Sequence, residues 1–380
     1  MVNSPYTPGE VASVVYGRES LLENIKRELV FLAEEPRLIG RTQVIVGPRG
    51  VGKTSLLRNI QAYASRKGFE TVWVTAGDGP LANALVDGLQ RLTHTWRGTL
   101  AQKLQELIAS VRIEFAGVNV EASSLKGQPD QTGQAHTLQR LLTAAGKAAM
   151  ERNAGLIVLI DEIQSADGEG LRALAYAWQH MQSDAADLAM ATFAAGLSHS
   201  QDVITDAVSF AERFRYDELE NLPYADAEQA LRQPAEERGV RWSDEAILRA
   251  LNEADGYPYF IQVIGDETWR AAGYPGAGTL LEREQVDAAM EGFRRLRSSF
   301  FRARWQKATP AEARMLRAMA ELGEGKVKRK DITDAMNIES DAIGVARRSL
   351  LDKGLVDASS YGYLEFTAPG FAEFIRNEAE

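Results

Sequence analysis

Apolar positions along this chain follow two alternating patterns. Short runs read as strands covered on both faces: Gln43-Val-Ile-Val46, Glu70-Thr-Val-Trp-Val-Thr75, Leu156-Ile-Val-Leu-Ile160 and Leu188-Ala-Met-Ala-Thr-Phe-Ala-Ala195. Between them, apolar residues return every three or four positions. Leu21, Leu22, Ile25, Leu29 and Leu32 are one such stripe and predict an amphipathic helix, and Ser55-Leu-Leu-Arg-Asn-Ile60 opens another. Strands alternating with helices predict an α/β fold, a parallel sheet with helices on both faces. Ser209 to Leu219 reads as a helix end followed by a last strand.

A long excursion, about residues 81–140, interrupts this alternation. Leu81 to Trp96 and Leu100 to Ile108 have helical spacing. Ser110-Val-Arg-Ile-Glu-Phe115 and Val118-Asn-Val120 alternate with period two around Ala116-Gly117, which predicts a small hairpin, and the Gly, Pro and polar residues of Ser123 to Gln134 predict a mobile loop. From Pro223 the pattern is helical throughout, including Asp226 to Leu231, Asp244 to Leu251 and Gly256 to Gly265. The last stretch begins a capped, proline-led helix at Thr309, continues with helices at Lys330–Met336 and Ser340–Leu351, and closes with Leu355–Ala358 and Tyr363–Phe366 joined by Ser-Ser-Tyr-Gly. Three helices and a hairpin predict a winged helix. The expected domains are an α/β core at 1–222, a helical lid at 223–304 and a winged helix at 305–380.

The chemistry sits where the strands end. Gly47-Pro48-Arg49-Gly50-Val51-Gly52-Lys53-Thr54 is G-x-x-x-x-G-K-[ST], placed between a strand and a helix that Ser55 opens. Glycines let successive N–H groups turn toward one phosphate chain, and the helix N-terminus adds its positive dipole end. Lys53 is expected on the β- and γ-phosphates, and Thr54 on Mg²⁺. Leu156-Ile-Val-Leu-Ile160 delivers two carboxylates to the C-terminal end of its strand, where open α/β sheets bind ligands. Asp161 is the expected Mg²⁺-side acid, and Glu162 the residue that orients the attacking water. Gln164 either senses the γ-phosphate or is a loop amide.

Composition narrows the remainder. The 380 residues are 45% hydrophobic and 25% charged, with no cysteine, which excludes disulfides, cysteine–zinc sites and thiol catalysis and makes a cytoplasmic address the expectation. No apolar run is long enough to span a membrane. The net charge of −10 argues against wholesale capture of nucleic acid. Residues 305–380 hold 11 basic and 13 acidic side chains, yet Lys326-Val-Lys328-Arg329-Lys330 is a basic cluster, and Arg347, Arg348 and Lys353 lie on or beside the presumed recognition helix. Those three are the expected contacts to double-stranded DNA. The other outcome is a winged helix that meets protein.

The combination resembles the AAA+ and STAND ATPases of bacteria and archaea near the origin-recognition initiators, over Val14 to about Glu373: a P-loop core, a helical lid and a C-terminal winged helix. Asp161-Glu-Ile-Gln164, Ala195-Gly-Leu197, Ala211-Glu-Arg213, Gly256-Tyr-Pro-Tyr-Phe-Ile-Gln262 and Ala318-Met-Ala-Glu-Leu-Gly323 look especially like actinobacterial members. The resemblance implies a Mg²⁺-dependent ATPase with slow turnover. It puts Gly17 and Arg18 beside the adenine, Ser198 or His199 as a sensor of the γ-phosphate, and Arg213, with Arg215 as the second choice, as an arginine finger presented to a phosphate, often a neighbouring subunit's. It makes the Pro258-led helix a reporter of nucleotide state. The excursion at 81–140 departs from the initiators, so an ATP-dependent switch acting on a protein partner, in signalling or phage defence, stands as the alternative to a DNA-contacting one.

Overall fold

The computed structural model describes residues 2–12, 14–121, 131–358, 360 and 362–378. The first half runs α1 (Glu19–Glu34), β1 (Gln43–Val46), α2 (Lys53–Arg66), β2 (Glu70–Thr75), α3 (Leu81–Thr93), α4 (Thr99–Glu121), α5 (Gln131–Met150), β3 (Leu156–Asp161), α6 (Gly168–Asp184), β4 (Met190–Gly196), α7 (Ser200–Ala207) and β5 (Arg215–Glu218). The second half runs α8 (Tyr224–Glu236), β6 (Arg241–Trp242), α9 (Asp244–Ala254), α10 (Pro258–Ala271), β7 (Leu280–Leu281), α11 (Arg283–Trp305), α12 (Pro310–Leu322), β8 (Val327–Lys328), α13 (Arg329–Met336), α14 (Gly344–Asp352), β9 (Val356–Asp357), β10 (Tyr363–Phe366) and α15 (Phe371–Glu378). Among the described residues no helix is long and apolar enough to cross a membrane.

Two compact units emerge, and neither is one stretch of chain. Residues 20–46 and 56–218 make one, and residues 1–19, 47–55 and 219–380 the other. The first holds a five-stranded parallel sheet in the order β2-β3-β4-β1-β5. Every residue of β1, β3 and β4 is buried, as continuous aliphatic runs require when helices cover both faces. Val46 pairs with Gly196 and Ile160 with Ala194, so β1, β3 and β4 finish at one edge of the sheet. The short strand β5 closes the other side and is exposed at both its ends.

One expectation fails in the excursion. The hairpin read at residues 110–120 is instead the second half of α4, which runs unbroken to Glu121. The period-two alternation of Val111 and its neighbours coincides with a helical one. Leu104, Ile108 and Val111 are all buried, at spacings of four and three, and join the core of the sheet-bearing unit. The mobile loop read at 123–134 falls partly outside the described residues, at 122–130, while Gln131 to Gln134 already form the first turn of α5.

The other unit has its own core, made by α8 to α11 and continued by the C-terminal elements. Its first residues are an internal strap. The Tyr6 hydroxyl donates to Leu231 O at 2.5 Å and accepts from Trp242 Nε1 at 2.9 Å, with Trp242 and Trp269 edge-on to its ring. Trp269 Nε1 donates to Val2 O. Gly265 makes the room, since a Cβ there would sit 2.7 Å from the Tyr6 ring. Further on, α12 begins with a reciprocal capping box between Thr309 and Glu312. α12, α13 and α14 are followed by the antiparallel sheet β8-β10-β9, and α15 packs Phe371 and Phe374 against Phe301.

Candidate functional site

β1, the glycine loop and α2 form one uninterrupted path, and the loop conformation is one that only its sequence permits. Gly50 and Gly52 have φ of 92° and 98°, values that L side chains rarely adopt. At Gly47 a Cβ would lie 2.2 Å from Leu219 O. The Lys53 ammonium turns back over the loop and donates to Gly47 O at 2.9 Å and Pro48 O at 2.7 Å. It is only 9% exposed, so the loop holds a nearly buried cation against its own carbonyls. Val51 is buried under the turn. Ser55 Oγ accepts the Ala12 N–H at 3.1 Å, which ties the N-terminal strap to the first turn of α2, just after Thr54.

The loop is also gripped from α10. Pro258 occupies the first turn of that helix, where its missing N–H costs nothing. Its neighbour Tyr257 makes the contact: the hydroxyl donates to Arg49 O at 2.6 Å, and a Cβ on Gly50 would meet that hydroxyl at 2.1 Å. Burial raises the Tyr257 phenol to about 12, so it remains a donor at any working pH. Behind it, Arg304 lies 3.4 Å over the Phe300 ring and hydrogen-bonds to the Tyr257 hydroxyl. Burial lowers the guanidinium's pKa, with the nearby Arg49 adding to the effect. Sequence reasoning passed over both residues. The available signal for Tyr257 is its place inside Gly256-Tyr-Pro-Tyr, directly before the helix-opening proline.

Gly17 and Arg18 come to the start of α8. Gly17 has φ of 67°, and a Cβ there would sit 2.6 Å from Asp226 Oδ2. Its N–H donates to Glu19 Oε1, which opens α1. Arg18 donates to Glu220 O and Gly17 O. Burial lowers its pKa against the raising effect of Asp226, Glu19 and Glu220.

In the sheet-bearing unit, Asp161 ends β3, 8% exposed, and Glu162 follows in a left-handed conformation, φ 55° and ψ 40°. Asp161 Oδ1 accepts the Glu162 N–H at 3.0 Å. Gln164 Nε2 donates to Glu162 Oε2 at 2.6 Å, so this amide is no idle loop group. After β4, His199 occupies the N-cap position of α7 without a side-chain cap, and the Ser200 hydroxyl donates to Leu197 O. Arg213 is exposed on a short turn, its guanidinium 5.6 Å from the Phe210 ring centroid. Arg215 pairs with Asp217 along β5 at 3.1 Å.

These features have counterparts in known proteins. Residues 14–190 match a family model described as an AAA ATPase domain. Those residues belong to the AAA ATPase domain family. Residues 298–375 match a second model, described only as a domain of unknown function. The fold of the whole chain is similar to that of the ORC2 protein of Aeropyrum pernix, solved as ADPNP–ADP complexes, at 16% identity, with 98% of this chain and 95% of that one covered and a TM-score of 0.58. It is also similar to a Walker-type ATPase of Pyrococcus abyssi, at 17% identity, 97% and 98% coverage and a TM-score of 0.61. At such identities the likeness is one of fold. No curated protein matches the chain significantly by sequence. The AAA ATPase domain ends at β4 in the family model, so Arg213, Tyr257 and the C-terminal elements lie beyond it.

The C-terminal cations divide into two kinds. Lys353 donates to Glu312 Oε2 at 2.6 Å and to Lys307 O at 2.9 Å. That pairing ties the end of α14 to the start of α12. Arg348 is half-exposed and pairs with Asp352 at 3.2 Å. Lys326, Lys328 and Lys330 are exposed around β8, which pairs with β10 through Lys328 and Tyr363.

Proposed function

We propose that the chain binds and hydrolyses ATP, and uses the difference between its nucleotide states as a switch. The observation that carries this is the glycine loop: positive-φ glycines with a nearly buried lysine folded over their carbonyls. A buried ammonium resting on neutral carbonyls gains strongly from a polyphosphate, to which Lys53 and the loop N–H groups of residues 47–55 would turn. The Thr54 hydroxyl and the Asp161 carboxylate are each the kind of hard oxygen donor that Mg²⁺ takes, and each would serve it, the ion supplying charge neutralisation on the phosphates. Glu162 would accept a proton from the attacking water, and the exposed Arg213 would reach a phosphate in a neighbouring copy. Gly17, Arg18 and the Tyr257-Pro258 pair would read the nucleotide's presence from the strap and from α10.

The output of the switch lies in α12 to β10, which we read as a winged helix. Exposed Lys326, Lys328 and Lys330, together with Arg347 and Arg348, are the basic face from which it would contact duplex DNA. A protein partner is the second reading. It is favoured by the Arg348–Asp352 pair and by Val345, 86% exposed on α14, where an apolar contact would be worth more than a phosphate.

Three measurements test this. Lys53→Ala should lose binding of a fluorescent ATP analogue, while Glu162→Gln should bind and not turn over. Unchanged affinity in the first would undo the phosphate assignment. Anisotropy of random duplex DNA across a salt series, with and without ATP, separates the outputs. Salt-steep, ATP-sensitive binding supports DNA, and its absence at low salt leaves the protein partner.

A further inference from the structure

Glu162 sits in a conformation that its own backbone disfavours. A non-glycine residue in the left-handed region is strained and persists only where its surroundings hold it. One side chain does this holding from both ends. Gln164 Nε2 donates to Glu162 Oε2 at 2.6 Å, and Gln164 Oε1 accepts the Leu197 N–H at 3.0 Å. The two partners fix which way the amide faces, since a backbone N–H can only donate and an ionised carboxylate can only accept.

The seat is built for this amide. Gln164 stands on the short turn Ile163–Ser165, whose first residue is fully buried under the sheet. Opposite is Gly196, the last residue of β4, where a Cβ would lie 2.8 Å from Gln164 Oε1. Only a glycine lets the amide approach Leu197. The glutamine therefore spans from the end of β4 to the carboxylate after β3. A displacement of the β4 terminus would be passed to Glu162 through one rigid planar group.

We propose that Gln164 is the positioning residue for Glu162: it holds the carboxylate in the single place from which it can direct water, and slaves that place to the end of β4. The inference rests on the reading of Glu162 as the water-directing carboxylate. Gln164 itself touches neither water nor phosphate in this account.

The test is steady-state ATP hydrolysis by Gln164→Leu, which keeps the volume and deletes the bonds to Glu162 and Leu197, along with a longer one to Ser165 Oγ at 3.3 Å. Affinity for a fluorescent ATP analogue is measured alongside. The expected result is a kcat lower by about 10- to 100-fold with KM and analogue affinity within about threefold, since a misplaced group costs the chemical step and not ground-state binding. Gln164→Glu retains an acceptor for Leu197 and sets a like charge against Glu162, so it folds even if the leucine variant does not. Its kcat should fall at least as far. In a Glu162→Ala background, Gln164→Leu should cost nothing further, because a residue that acts through another has no effect once that other is gone. A wild-type kcat in either Gln164 variant overturns the proposal, as does a full additional loss in the Glu162→Ala background. If Glu162→Gln itself turns over at the wild-type rate, the reading beneath the proposal is what has failed.

Discussion

Gly50→Ala probes the contact between α10 and the glycine loop more directly than any change in the lysine. The new methyl would lie 2.1 Å from the Tyr257 hydroxyl oxygen and 2.6 Å from Cζ, at a backbone φ of 92°. Tyr257 cannot step aside: its ring is fully buried, with Phe260 at 4.8 Å and Phe300 at 6.1 Å, both edge-on. The conformational penalty is about 1–3 kcal/mol. Relieving the clash means giving up the hydrogen bond to Arg49 O, roughly another 1 kcal/mol. The loop would relieve both by leaving its phosphate-ready form, so holding that form for ATP costs about 2–4 kcal/mol, an affinity lower by about 30- to 1000-fold at tenfold for each 1.4 kcal/mol. The assay is titration of a fluorescent ATP analogue, with the melting temperature of the free protein measured in parallel. The decisive comparison is the double variant with Tyr257→Leu, which removes both clashing atoms. There the alanine should cost only its backbone strain, a coupling of at least 1 kcal/mol. An unchanged affinity for Gly50→Ala, or an equal cost with and without the tyrosine, would refute the reasoning.

Three further outcomes follow from the same kind of geometry. Tyr6→Phe leaves Leu231 O and Trp242 Nε1 without their partner and should destabilise the strap-bearing unit by about 1–3 kcal/mol, read as a melting temperature lower by about 2–4 °C per kcal/mol. Burial alone would raise the Glu312 carboxyl, but hydrogen bonds from Lys353, Ser349 and the Thr309 N–H hold it below its ordinary 4.5. A depressed folded value means that its contribution is complete above pH 4.5 and lost as pH falls through the lowered value. Thermal melts of Glu312→Gln and wild type should therefore differ at pH 7 and converge in acid. If the basic face meets DNA, Lys328→Ala should flatten the salt slope of duplex binding by about one unit, while Lys353→Met should leave the slope unchanged and lower the melting temperature.

The parts of the fold legible in the sequence are those set by local pattern. β1, β3 and β4 announce themselves because a strand buried on both faces is apolar at nearly every position, and the glycine loop because its glycines answer backbone needs. The error in α4 arose where two periods coincide, since Val111 satisfies both a two-residue and a helical repeat. Other features depend on distant partners and leave no local trace. Gln164 is an unremarkable loop amide until Gly196 and Leu197 are brought opposite it. Tyr257 is one aromatic among several until its hydroxyl is found on Arg49 O. Nothing local in Lys353 shows that it bonds to Glu312, 41 residues earlier.

The strap of residues 2–7 imposes an order of events on synthesis. Tyr6 finds its acceptor 225 residues later in the chain and its donor 236 residues later. At about 5–20 residues per second, this leaves the strap without a home for roughly 10–50 seconds after it is made. The sheet, whose residues all lie before Leu219, can close in that interval, whereas the unit that holds the glycine loop cannot. A nascent chain therefore owns a complete sheet well before it owns a seat for phosphate, and nucleotide competence should arrive late and all at once.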